Sequence, residues 1–487
     1  MKQRLLTIAM AFFATFMIGC SEDDPILAPK ISNLEQEYVI LENEKIDFTP
    51  SVESEAEVAY SWALDGKQVA TTLSYTFEPA TAGEYKITFV AVNGGGATEY
   101  EFTVIVNPSS YELNVDVFEI LTIDLPDYLG ETEKVVLTIL ESPSELHRLT
   151  QNEEGAILFA AVDAGIYTFK LAAGDFEVLY VVNVNEREEE ISAYTAQVFD
   201  FMQAPGQYVN KTPKYDEGNT HEDMVAKVAK VLVGERASFI SLGGWGGFVE
   251  IGFDHTIVNV PGKRDFRIWG NSFAGSAEPG IIMVAYDKNK NGVPDEDEWY
   301  EIAGSGNFTA EHEAWYADAK DSGGDVTTYR DYEMTYYRPE VEDNNPASEY
   351  IRWTNNKGGE GYKVKNNFHR QPYFPQWIAE DQLTFKGIRL GDNGWDRSGA
   401  GTNFYLEYYG YGYADNYPNN DPRSAIDIDW AIDKEGNPAN LPGIDFVKVI
   451  NGIDKENGWL GEASTEVAKG QDLHALGLDI NSDLDKE

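Results

Sequence analysis

Almost every apolar run in this chain is short and alternates with polar residues at a period of two. Val58-Ala59-Tyr60-Ser61-Trp62, Tyr85 to Val92 and Tyr100 to Val106 show it, and so do Val135 to Leu140 and Val178 to Val184. A period of two sends successive side chains to opposite faces of an extended strand. The chain is therefore confined to an all-β architecture of half-buried sheets. Asp65-Gly66 and Gly94-Gly95-Gly96 supply the turn chemistry between such runs. One stretch departs from this pattern. Thr220 and Asp223 form a T-x-x-D start, Val225, Val228 and Leu232 recur at helical spacing, and Gly234 ends the run, which predicts one helix over Thr220 to Val233.

The turn spacing divides the β regions. Residues 30–108 and 109–186 each read as an antiparallel sandwich. Ala164-Gly165-Ile166-Tyr167-Thr168-Phe169 echoes Ala82-Gly83-Glu84-Tyr85-Lys86-Ile87, which favours a tandem pair of similar modules. Tyr60 to Gly66 and Ala82 to Tyr85 resemble bacterial PKD or Ig-like modules. The resemblance implies that Trp62 is the core residue between two sheets and that such modules act as spacers. Glu186 to Glu190 is an acidic hinge. From 190 to 467 the composition shifts to Gly, Asn, Trp and Tyr, and one larger jelly-roll-type β-sandwich carrying the single helix is expected. Its strands are predicted at Phe248 to Phe253, Phe266 to Trp269, Ile281 to Tyr286, Tyr332 to Tyr337, Leu383 to Leu390, Phe404 to Tyr409 and Phe446 to Ile450. Residues 468–487 read as a loosely held acidic tail.

The N-terminus reads as a leader. Met1-Lys2-Gln3-Arg4 is basic, and Leu5 to Ile18 is apolar but too short to span a membrane. Gly19-Cys20 resembles the lipobox of bacterial lipoproteins, which implies a signal peptide over 1–19 and acylation of Cys20. Residues 20–29 would then be an acidic tether on a lipid anchor in the outer membrane, exposed at the cell surface. Cys20 is the sole cysteine, so packing or metal ions must stabilise the fold without disulfides. The formal charge of −46, from 83 acidic and 37 basic residues, argues against nucleic acid, whose phosphates would be repelled. The same charge suits an outward-facing protein or one with metal-binding carboxylates.

The sharpest motif is Asp287 to Glu298, which matches D-x-[DN]-x-[DN]-G-x5-E in full. Asp287, Asn289 and Asn291 offer short side-chain oxygens, and Val293 offers its backbone oxygen. Asp295 reaches through water, and Glu298 closes the shell with both oxygens around Ca2+. Gly292 permits the sharp turn. The flanks, Ile281 to Tyr286 and Trp299 to Ile302, read as strands, so a structural calcium loop between two strands is expected in place of a helical hand.

Other motifs fall short. Ser241 to Phe248 lacks a P-loop ending, and Gly270 to Ala274 lacks the last glycine of a nucleophile elbow. His312-Glu313 lacks a second histidine, and His255 beside Asp254 reads as a satisfied turn histidine. No spacing singles out a carboxylate pair for glycoside hydrolysis among 83 acids. What remains is a set of aromatic, amide-rich loops. Trp245, Trp353, Asn355, Tyr373, Trp377, Trp395, Tyr411, Tyr413 and Asn416 are the candidate contacts for a large polar ring such as a sugar or a tetrapyrrole. An equally weighted reading makes these rings the core of a Tyr-rich sandwich.

Several segments resemble a family of Gram-negative cell-surface lipoproteins. They are Ala204 to Gln207, Ser241 to Phe248, Gly252 to Ile257, Ile268 to Phe273, Glu278 to Ile281, Asp427 to Trp430, Gly443 to Phe446 and Gly458 to Glu466. The family is associated with outer-membrane uptake of vitamin B12-type corrinoids. The resemblance implies surface capture of a cobalamin-type nutrient and its delivery to a TonB-dependent transporter, and the lack of a catalytic constellation favours binding over chemistry. A glycan-binding or glycan-hydrolysing protein and a structural or adhesive one are the alternatives.

Overall fold

The computed structural model describes residues 25–129, 134–152, 154–174, 176–236 and 238–485. The leader and Cys20 lie outside the described residues. The chain is nearly all β, with α-helices only at His221–Leu232 and Tyr316–Asp321 among the described residues. Among the described residues, no helix is long and apolar enough to cross a membrane. It divides into two compact units, with the boundary between Tyr111 and Glu112.

In the first unit, Gly83–Asn93 and Gly96–Asn107 form a long antiparallel hairpin. Ala59–Leu64 and Lys67–Ala70 extend it on one side, and Glu37–Leu41 joins in parallel on the other. Asp65 and Gly66 both have positive φ, 47° and 81°, which matches the turn twist to that of the flanking strands. Trp62 is fully buried, packs on Phe89 with centroids 4.4 Å apart, and donates its indole N–H to Thr72 O at 2.9 Å. A buried indole needs such an acceptor.

The second sandwich opens the second unit. One sheet runs Ser110–Asp116, Phe176–Asn185, Gly165–Ala173, Val136–Glu141, and the other runs Leu121–Ile123, Ile157–Ala161, His147–Gln151. The echo between the modules has a physical basis. Tyr85 donates its hydroxyl to Thr81 O at 2.8 Å and Tyr167 donates to Asp163 O at 2.9 Å, four residues back in each case. This bond pins the chain where it enters a long strand. The second sandwich is no free-standing spacer, however. Leu158 belongs to the same buried cluster as Ile251, Ile257 and Val447 of the large domain, and Arg148 pairs with Asp429 at 2.8 Å.

The large domain is organised on one antiparallel sheet. Its order is Gln197–Met202, Phe248–Val258, Gly443–Asn451, Gly280–Ala285, Tyr300–Ile302, Ala431–Ile432. The helix His221–Leu232 buries Met224, Val228 and Leu232 against this sheet's core, and Val225 packs at its margin. Thr220 and Asp223 close the expected capping box. A second sheet, Glu360–Lys365, Ala347–Asn355, Tyr329–Tyr337, Gln382–Arg389, holds its own aromatic core of Trp245, Tyr332, Tyr336, Tyr350, Tyr373 and Phe385.

The expected loose tail over 468–487 needs correction. Lys469–Asp472 is a buried strand paired with Phe266–Trp269. The Lys469 ammonium lies over the rings of Trp269 and Tyr194, and Asp472 is bound by His255. Its charges made the segment look solvent-facing, but Lys469, Asp472 and His474 are buried.

Candidate functional site

The loop Asp287 to Glu298 joins Gly280–Ala285 to Tyr300–Ile302, which pair antiparallel as expected of a β–loop–β element. Asp287 accepts from the N–H groups of Asn291 at 3.0 Å and Gly292 at 2.7 Å. The Asn289 side-chain oxygen accepts from Asn291 N at 3.0 Å, and that of Asn291 accepts from Val293 N at 2.8 Å. These bonds curl the backbone around the side-chain oxygens. Gly292 takes φ +78°, a conformation that a side chain would strain. Glu298 is 2% exposed and accepts from Lys288 N and Asp295 N. Its burial, with the carboxylates of Asp287 and Asp295 nearby, raises its pKa above the ordinary value. A nearby dication would reverse that shift.

The donor set therefore fits calcium, with one adjustment. The amide nitrogens of Asn289 and Asn291 both donate to Asp295 Oδ2, at 2.6 and 2.8 Å. A cation that draws on Asp295 would displace these two bonds, and both asparagine side chains are exposed.

Beside the loop lies a cavity of about 400 Å³. The rings of Phe118, Phe199, Phe253 and Phe446 line it, together with Arg187, Asp254, His255, Thr256 and Asp445. The loop itself contributes Asp287, Lys290 and Gly292. The second sandwich supplies Phe118, and the central strands of the large domain supply most of the rest. Phe118 has φ +59°, an unusual conformation for a bulky residue. It is held by Phe118 N donating to Ala161 O at 2.9 Å and by Thr256 N donating to Phe118 O at 3.0 Å.

His255 sits inside Phe248–Val258, with its side chain fully buried. Its two ring nitrogens bond Asp254 and Asp472, each at 2.8 Å. Burial alone lowers its pKa, but the bonds and charges of Asp472 and then Asp254 outweigh it and raise the pKa. Both nitrogens are taken, so this histidine is satisfied, as the sequence suggested, though mid-strand and not in a turn. Asp445 is pushed up by burial and accepts from Thr256 Oγ1 at 2.6 Å and from Asp287 N at 2.7 Å.

The nine ring and amide candidates do not converge. Trp245, Tyr373, Tyr413 and Asn416 are at most 2% exposed, so they pack and do not face a ligand. Trp245 donates to Ile388 O, and Asn416 braces Tyr409 through two bonds. Asn355 caps a turn by accepting from Lys357 N and Gly359 N. Trp353 flanks the second sheet's core, and Trp377 stacks toward Phe201 and Tyr215. Trp395 lies by Tyr405 and Arg397, and Tyr411 lies by Trp430. Core packing, the alternative reading of these rings, accounts for most of them.

A second group escaped sequence reading. Glu278, Asp415 and Glu466 bring carboxylate oxygens within 4.8 Å of one another. Burial first, and then mutual repulsion for Glu278 and Glu466, raises the pKa values of all three. Asp415 accepts from the N–H groups of Asn271, Ser272 and Glu466. Glu278 and Glu466 stand in segments singled out by family resemblance, but no spacing links 278, 415 and 466.

Comparison with known proteins bears on the first unit. Residues 28–93 match the PKD-like domain family. The front of the chain is a PKD-like module. A three-domain I-band fragment of titin is 12% identical, covers 33% of this chain and 66% of that one, and has a TM-score of 0.20. The PKD domain of human KIAA0319 is 15% identical over 18% of this chain and 91% of that one, with a TM-score of 0.15. Fibronectin(III)-like modules of Clostridium thermocellum CbhA are 17% identical over 16% of this chain and 97% of that one, with a TM-score of 0.15. Elongation factor 1-alpha of Euglena gracilis is 29% identical over 132 residues, 26% of this chain and 29% of that protein. The chain thus spans less than a third of that relative's length.

Proposed function

We propose that this protein is a lipid-anchored surface receptor, acylated at Cys20, that captures a small nutrient molecule in the cavity beside the Asp287 loop. The observation that carries this reading is the cavity itself. Four phenylalanine rings line it together with nine polar or charged residues, beside the loop Asp287 to Glu298. Ring faces beside convergent polar groups suit a polar ligand that carries an apolar face. The family resemblance favours a corrinoid, passed on to a TonB-dependent transporter.

A second ligand class is favoured by size. About 400 Å³ lies near the lower end of small-molecule sites and suits one or two sugar rings. Phenyl faces stack on the C–H faces of a sugar, and Asp254, Arg187 and Glu119 can bond its hydroxyls. A corrinoid would enter by one edge or by a substituent. Calorimetry of the mature chain with calcium, against cyanocobalamin and a glycan panel, separates the two. Binding that Phe199→Ala abolishes supports the cavity as the site, and binding that Phe199→Ala leaves intact removes it.

A further inference from the structure

The loop and the cavity share residues, and this has a functional consequence that rests on the reading of the cavity as the ligand site. Asp287 is at once the first cation ligand of the loop motif and a wall of the cavity, and Lys290 and Gly292 of the same loop also line the cavity. The wall continues through two short bonds. Asp287 N donates to Asp445 Oδ2 at 2.7 Å, and Thr256 Oγ1 donates to Asp445 Oδ1 at 2.6 Å. Thr256 N in turn donates to Phe118 O at 3.0 Å. The chain of bonds therefore runs from the loop's first ligand, through a buried carboxylate, to the strained residue that the second sandwich contributes.

We infer that calcium in the loop and the nutrient in the cavity bind with positive linkage, the cation fixing the wall that the ligand contacts. Two physical effects act in the same direction. A cation on the Asp287 side chain fixes the residue whose backbone N–H holds Asp445 Oδ2. Ordering of the loop also restricts Lys290 and Gly292 before the ligand arrives, so less ordering is left to the ligand. Linkage is reciprocal, so the ligand must tighten calcium by the same factor, typically about fivefold or more.

The test needs no knowledge of the ligand. Amide hydrogen exchange is followed on the mature chain with and without calcium alone. Calcium is expected to slow exchange at least about fivefold not only in 287–298 but also at Thr256 and in the neighbouring wall segments 117–120 and 253–257. In Thr256→Val, which replaces the hydroxyl by a methyl group, and in Asp445→Asn, the slowing should retreat to 287–298. Slowing confined to 287–298 in the wild-type chain overturns the linkage, as does the same wall response in both variants. Should no ligand be found by calorimetry, the reading of the cavity falls while this exchange result stands on its own. A ligand bound equally with and without calcium leaves the cavity reading intact and overturns the linkage.

Discussion

The backbone N–H of Asp287 donates to Oδ2 of Asp445 at 2.7 Å, joining the loop Asp287 to Glu298 to the wall of a ring-lined cavity. Asp287 opens a motif plain in the sequence, whereas Asp445 stands 158 residues later on the central strand Gly443–Asn451. Only the sheet order, which seats that strand beside Gly280–Ala285, brings them together.

The loop's role as a metal site is tested by Asp287→Ala. That change removes one carboxylate ligand and the acceptor of two turn bonds, from Asn291 N and Gly292 N. Wild-type protein should gain a calcium-dependent rise in melting temperature and terbium luminescence sensitised through Tyr286 and Tyr300. The variant should show neither. A melting shift that survives the substitution places the calcium elsewhere.

The independence of the first unit is tested at Trp62. Truncation to alanine opens a cavity among Phe48, Phe89 and Phe102 and should cost about 3–5 kcal/mol. Because the unit boundary falls at Tyr111 and Glu112, scanning calorimetry should show only the first unit's transition moving down. A matching fall in the second unit's transition would mean that the two melt as one.

The cap of helix His221–Leu232 gives a smaller effect. Thr220→Ala removes the acceptor of Asp223 N and should cost about 1 kcal/mol in urea unfolding of the second unit. No loss would mean that the helix is held by its buried face alone.

Stability should fall with rising pH around Glu278, Asp415 and Glu466. Their folded pKa values are raised, by burial first, while the unfolded values are near 4. The native state therefore holds protons that the unfolded state has released. The stability this provides is full below about pH 4 and is lost as pH rises through the raised folded values. In chelator, melting temperature measured from pH 5 to 9 should decline less steeply for Glu466→Gln than for wild type. Parallel profiles would contradict proton sharing in this cluster.

What sequence could reach follows the range of the interaction. Alternation located Phe266–Trp269 to the residue, because a strand's two faces are written locally. The helix and its capping box were legible for the same reason. The strands Ala347–Asn355 and Glu360–Lys365 were missed, and in the second the alternation is inverted, with Tyr362 and Val364 exposed and Lys363 and Lys365 buried. Lys363 is buried nonetheless, paired with Glu456 at 3.1 Å. The same blindness to distant partners hid the tail strand Lys469–Asp472 and the carboxylates at 278, 415 and 466. Ring clustering misled in the opposite sense. Tyr413 is rich in ring and amide neighbours because it is core, donating to Asn307 Oδ1 at 2.7 Å from a fully enclosed position. The cavity's rings, by contrast, come from Phe118, Phe199, Phe253 and Phe446, isolated in sequence and gathered only by the sheet.

The claim that this chain captures a ligand in the Phe199–Phe253 cavity is tested most directly by titration calorimetry of the mature protein in calcium against cyanocobalamin and soluble glycans. The account predicts saturable one-to-one binding of one of them, lost in Phe199→Ala while the melting temperature of that variant stays close to wild type. Binding that persists unchanged in Phe199→Ala, or no heat with any of these ligands, contradicts it.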